Sequence, residues 1–293
     1  MSIAKWIEKN ALSLAGKRIA ISGATGGIGA RLCEHLAALG ADLVLLDRSI
    51  ERSRALGEGL KSRYPGLRVD YLTVDLTDIA SVKNAAEELQ CEPLSGLILN
   101  AGAYCIPRRK CDTGYDNVFQ INFAAPYFLA RELKAHIIAS GGRLVAVGSI
   151  AHNYSKTDIE DIDFSTRKKA SLVYGNAKRH LMFSLYGLFR DTNALAVTHP
   201  GITFTNITAH YPKLIFALIK HPMKIIFMKP KKAALSILRG LFECTLENEW
   251  IGPRLFGVWG MPKKKILKTC PPDEAERICK TADGVYERLK SQM

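Results

Sequence analysis

Arg18-Ile19-Ala20-Ile21-Ser22-Gly23-Ala24-Thr25-Gly26-Gly27-Ile28-Gly29 is the stretch on which the reading of this chain turns. An apolar run, Arg18–Ala24, has the length and composition of a strand and leads directly into a cluster of glycines. Beyond it Ile28, Leu32, Leu36 and Leu39 recur at helical spacing until Gly40 ends the pattern. Strand, glycine turn, helix is the geometry in which bare backbone and a helix N-terminus hold a pyrophosphate, because side chains would keep the anion away from the N–H groups. The same pattern also describes a tight strand-to-helix turn without a ligand.

The unit repeats outward from there. Asp42–Asp47, Leu67–Asp75, Leu97–Asn100, Arg143–Ser149 and Ala194–His199 read as further strands. Ile50–Arg63, the stripe Ile79, Val82, Ala86, Leu89, a long helix Tyr115–Ser140 and Ser171–Arg190 lie between them. Alternation of this kind predicts an α/β fold, a doubly wound parallel sheet of Rossmann-like type with helices on both faces. Length and lack of any linker predict one domain over 1–293, with a C-terminal helical substrate lid at 206–248. Functional groups are then expected outside the carboxyl ends of the strands.

Several residues fall at those ends. Asp47 can hold the adenosine ribose hydroxyls, which favours NAD because a carboxylate repels a 2′-phosphate. Arg48 beside it can instead accept that phosphate, so NADP stays open. Asp75-Leu76 can reach the adenine edge or serve as an ordinary turn. Asn100-Ala101-Gly102 offers small residues and backbone to a cofactor, or is a plain turn.

Tyr174-Gly175-Asn176-Ala177-Lys178 places a phenol and an ammonium four positions apart, on one helix face. A free tyrosine, with a pKa of about 10, is a poor base at neutral pH. A neighbouring cation favours the phenolate, so the pair can trade a proton with an alcohol. On its own the spacing also describes an exposed helix pair. Ser149 ends a strand where its hydroxyl can bond a substrate oxygen. Asn122 sits at a position unfavourable within a helix, and a water linking it to Lys178 or a local kink would account for it.

Taken together, T-G-x-x-x-G-I-G, Asn100-Ala101-Gly102, Asn122, Ser149 and Tyr174-x-x-x-Lys178 resemble the single-domain short-chain dehydrogenase/reductases, over Arg18 to Thr205. The resemblance implies an NAD(P)-dependent alcohol/ketone oxidoreductase with a catalytic tetrad of Asn122, Ser149, Tyr174 and Lys178. It implies cofactor contacts from Gly23, Gly27, Ile28, Gly29, Asp47, Asp75, Asn100 and Lys178. Pro200, Gly201, Thr203 and Thr205 look like the segment that meets the nicotinamide amide. Ser22 departs from the usual threonine and keeps its hydroxyl. Glu160–Phe164 and Trp250–Pro253 are loosely similar to retinol-dehydrogenase-type members, which implies a lipophilic alcohol or ketone. The family also implies a homo-oligomer.

Composition bounds the rest. Seven scattered cysteines without a C-x-x-C pair argue against a zinc site or disulfide framework, and the histidines show no metal-ligand spacing. Neither a signal peptide nor a transmembrane run is evident, so a cytoplasmic protein is expected. The formal charge is +13, and twelve Lys/Arg stand against three Glu between Lys213 and Lys268. No nucleic-acid-binding motif accompanies that charge. The apolar stretch Tyr211–Met228, punctuated by Lys213, Lys220 and Lys224, reads as a substrate lid, a packing helix or dimer contact, or a segment resting on an anionic membrane surface. A dinucleotide-binding regulator without turnover is the competing function. A sugar-nucleotide epimerase would need more chain after the sixth strand.

Overall fold

The computed structural model describes residues 1–203 and 227–293. Strands β1 (Arg18–Ser22), β2 (Asp42–Asp47), β3 (Val69–Thr73), β4 (Gly96–Leu99), β5 (Arg143–Val147), β6 (Leu195–Thr198), β7 (Glu249–Leu255) and β8 (Trp259–Ile266) form one sheet in the order β3-β2-β1-β4-β5-β6-β7-β8. β1 to β7 are parallel to their neighbours and β8 is antiparallel to β7. The order reverses between β1 and β4, which opens a crevice at the carboxyl ends of these strands.

Along β1, β2, β4, β5 and β6 both sheet faces are buried, so these strands are apolar on both sides and alternate neighbours serve different cores. Ala20, Val44, Leu97 and Leu144 pack with α4 (Ile79–Leu89), α6 (Ala125–Ala139), α7 (Ala170–Leu188) and the C-terminal α9 (Pro272–Lys290). Ile19, Leu43, Ile98 and Val145 pack with α1 (Ile3–Asn10), α2 (Gly27–Ala38) and α8 (Pro230–Gly240); α3 (Ile50–Lys61) adds Leu60 to that core. Trp6 is fully enclosed there, so the N-terminal helix is part of the domain. Truncating a buried aromatic of this kind costs about 3–5 kcal/mol.

Two differences from the sequence reading bear on the site. The expected long helix Tyr115–Ser140 is interrupted: a short turn α5 (Asn117–Phe119) leads into a π-helical segment, Gln120–Ala124, before α6 begins. Pro126 explains it. Proline has no N–H for the carbonyl four residues back, Asn122, and its ring collides with that carbonyl, so the turn widens. The last third of the chain also contributes more than a lid. Hairpin β7–β8 extends the sheet, α8 covers one face and α9 the other. The stretch 204–226, with most of the apolar lid sequence and Thr205, lies outside the described residues.

Candidate active site

The glycine turn is built by close approach. Gly23 has φ +67°, and a Cβ there would stand 2.9 Å from the Ala101 Cα. A Cβ on Gly29 would stand 2.2 Å from the Gly23 carbonyl oxygen. The first turn of α2 therefore packs on bare backbone. Gly26 caps it with no side-chain hydrogen bond, which leaves N–H groups and the positive helix end facing the crevice. Asn100 fastens the end of β4 to this turn: its Nδ2 donates to the carbonyls of Ser22 (3.1 Å) and Gly23 (3.0 Å). The Ser22 hydroxyl accepts from the Asn100 and Ala101 N–H groups, so the substitution for threonine keeps its function as an acceptor.

Asp47 ends β2 with its carboxylate taking the Thr25 N–H and hydroxyl and the Ser53 hydroxyl, at 3.0–3.2 Å. Burial raises its pKa, against the lowering effect of those donors and of Arg52. Arg48 is exposed beside it, and Arg52 donates to the Thr25 carbonyl. Asp75 makes a turn, accepting from the Thr77 N–H and hydroxyl at 2.8 Å each. Leu76 packs on the core beneath it.

Ser149 follows β5 and caps a single 3-10 turn, Ile150–Asn153. Its hydroxyl faces the Tyr174 phenol of α7 and pulls that phenol's pKa down. The close approach of α7 to that turn requires Gly175, because a Cβ there would collide with the Ala151 carbonyl oxygen. Lys178, one turn along, is 2% exposed, and its Nζ donates to the Val147 carbonyl at 2.9 Å. Nζ lies 5.9 Å from the centre of the Tyr174 ring. Asn122, at the centre of the π segment, donates to the carbonyls of Ala103 and Val118 and accepts from the Ala103 N–H. Gly102 lies between the two: a side chain there would stand 2.9 Å from Asn122 Oδ1 and 3.6 Å from Lys178 Nζ. The four residues thus meet at one end of the crevice, with the glycine turn across β4 from them.

Their electrostatics differ from the simple expectation. Burial pushes the Tyr174 phenol up to about 12, with the Ser149 hydroxyl pulling the other way. Burial brings the Lys178 ammonium down to about 8. Removing both groups from water outweighs the help the cation was expected to give the phenolate. At neutral pH the phenol therefore keeps its proton.

Around these residues lies a layer that sequence reasoning left out. His152 Nδ1 meets the Ser149 carbonyl at 2.6 Å and its Nε2 meets the Thr269 hydroxyl at 2.8 Å. Arg179, next to Lys178, holds the His152 carbonyl at 3.1 Å and forms a buried pair with Glu274 of α9. His199, buried, stacks on Trp250 at 4.7 Å. Tyr104 meets the Tyr174 ring edge-on at 5.3 Å. The succession Lys178-Arg179-His180, charged or polar within an apolar helix, was the one local sign of it. Pro200 and Gly201 follow β6, and Thr203 bridges to Met228.

Comparison with known proteins fits this layout. A family model described as short chain dehydrogenase matches residues 17–160. The chain is 31% identical to the short-chain dehydrogenase chyC of Penicillium rubens, over 65% of this chain and 72% of that one. It is 27% identical to the polyprenol dehydrogenase of Homo sapiens, over 66% and 63%. The first curated relatives it matches are longer, and the chain covers 63–65% of their length. An uncharacterised protein from Mycobacterium Paratuberculosis shares the fold with a TM-score of 0.69 at 22% identity, over 96% of this chain and 95% of that one.

Proposed function

The chain belongs to the short-chain dehydrogenase/reductase family, and on that premise we propose that it is a nicotinamide-dependent oxidoreductase acting on a lipophilic alcohol or ketone. One observation carries the reading: Tyr174, facing the Ser149 hydroxyl, and Lys178, buried beside Asn122, share one end of a crevice that the glycine turn also borders. The uncapped start of α2 suits a pyrophosphate, and the small residues Ala101 and Gly102 leave room beside it. Gly23, Gly27, Ile28, Gly29, Asn100, Pro200 and Gly201 would hold a nicotinamide dinucleotide. Asp47 favours NAD. Bound there, the dinucleotide supplies or accepts the hydride.

The protein's own part is proton handling. Tyr174, protonated at rest, gives its proton to the substrate oxygen in reduction; in oxidation the phenolate, formed once that proton has left, takes the hydroxyl proton. Ser149 donates to the same oxygen and lowers the cost of its developing charge. Lys178 provides the positive charge that the phenolate needs once its proton has left. Asn122 pins the loop at Ala103 against the π segment and so fixes the wall behind Lys178.

A lipophilic substrate suits the surroundings of Tyr174, where Tyr104, Ile106, Leu172 and Phe164 are packed together or close by. The basic last third is proposed as the part facing a membrane. Purified protein assayed against steroids, retinoids and aliphatic alcohols, with NAD and NADP in parallel, tests the reading. Turnover of a long apolar alcohol above that of its short homologue is expected, and turnover of none would overturn it.

A further inference from the structure

The turn that joins β7 to β8 carries side chains that local physics does not favour. Phe256 is 84% exposed and Leu255 51%. Phe256 also has φ +50°, in the left-handed region where Asn, Asp or Gly is the ordinary occupant of a tight turn and a bulky side chain is an outlier. Nothing in the turn itself calls for an aromatic there.

A second cost lies at the same end of the sheet. α8 begins with Lys229 at its cap and Lys231 and Lys232 in its first turn, with no acidic residue. Cations at a helix N-terminus oppose the helix dipole. Met228 just before them and Val258 of the turn both pack against Gly201, which puts the basic helix start and the apolar turn together. Arg254 adds a further positive charge. Among the described residues none of these four cations forms an ion pair, whereas Lys264, farther down β8, is paired with Glu243 and Glu249.

β7 runs parallel to β6, so the turn sits at the carboxyl end of the sheet, on the same side as Ser149. Its Gly257 lies beside Ile150, the residue after Ser149, and beside His199. We propose that this end of the molecule docks on an anionic membrane surface, with Phe256 and Leu255 entering the interfacial layer and Lys229, Lys231, Lys232 and Arg254 facing the lipid headgroups. The substrate entrance then opens against the bilayer. A convex apolar tip ringed by one sign of charge suits a lipid interface better than a second copy of the chain, which would bring the same cations against their own kind. The proposal takes its substrate route from the function above; its membrane contact stands on the surface alone.

Sedimentation with phosphatidylcholine vesicles, with and without phosphatidylglycerol, tests it. The full chain is expected to bind the anionic vesicles, more weakly as salt is added, and not the neutral ones. Phe256→Ser with Leu255→Ser, and separately Lys231→Gln with Lys232→Gln, are each expected to weaken binding about tenfold. Both pairs are exposed or half-buried at the surface, so the fold is expected to survive, and turnover of a short soluble alcohol is expected to stay unchanged. Equal binding by all variants, no binding to anionic vesicles, or a dimer that Phe256→Ser dissolves would each overturn the docking. Turnover of no alcohol or ketone, soluble or lipophilic, by the unmodified chain would overturn the enzymatic reading and leave the docking standing.

Discussion

Arg179 and Glu274 form a two-pronged ion pair, Nε to Oε1 at 2.8 Å and Nη2 to Oε2 at 2.6 Å, between side chains 3% and 4% exposed. The pair ties the helix of Tyr174 and Lys178 to the C-terminal helix. Through the His152 and Thr269 carbonyls that Arg179 also holds, it braces the turn after Ser149. Thr157 completes the ring by donating its N–H and hydroxyl to Glu274. Removing one partner strands a buried charge. Glu274→Ala is therefore expected to lower stability by about 3–5 kcal/mol, whereas the double change Arg179→Met with Glu274→Met recovers most of that. Urea unfolding of the three proteins measures it. Equal losses in the single and double variants would show that the brace matters through packing and not through charge.

Acid should loosen the same region. Burial lowers His152 and His180 to about 4 and His199 to about 3. For Glu274 burial works upward, but Arg179 and Thr157 outweigh it and hold the carboxyl below the ordinary range. The unfolded chain then binds more protons than the folded one wherever pH lies below the free histidine value of about 6.5. Stability is expected to fall steadily as pH drops from that value to about 4. The check is the urea midpoint followed across that range. A flat profile would mean that these histidines become charged without leaving the fold.

Activity should carry a different signature. Lys178 loses its proton near 8, far below a free lysine, and takes with it the positive charge beside Tyr174. The rate of carbonyl reduction is expected to decline above that pH along a one-proton limb. Lys178→Arg, which stays charged, is expected to move the limb to higher pH even if its rate is lower throughout. A limb that stays in place in Lys178→Arg would assign the titration to another group.

Much of this arrangement was legible in the sequence because short-range rules govern it. The glycine turn, the apolar parallel strands and the four-residue step from Tyr174 to Lys178 depend on spacing alone. Asn122 entered through the family resemblance and not from its own position, and the π segment around it was read as helix with at most a local kink, although Pro126 marks the break. Glu274 could not be found that way, because its partner Arg179 lies 95 residues earlier and only the packing of α9 on α7 joins them. The phenol of Tyr174 shows the same limit: its neighbour in sequence is visible, while the burial that dominates its acidity depends on the whole fold.

The central claim is that Tyr174 moves the proton and the rest of the crevice holds the dinucleotide. Tyr174→Phe keeps the ring and its contact with Tyr104 and removes only the hydroxyl. Its turnover is expected to fall about 10²–10⁴-fold, with nicotinamide dinucleotide bound as tightly as before when titrated by fluorescence. Turnover within a few-fold of the unmodified protein, at unchanged cofactor affinity, would contradict the account.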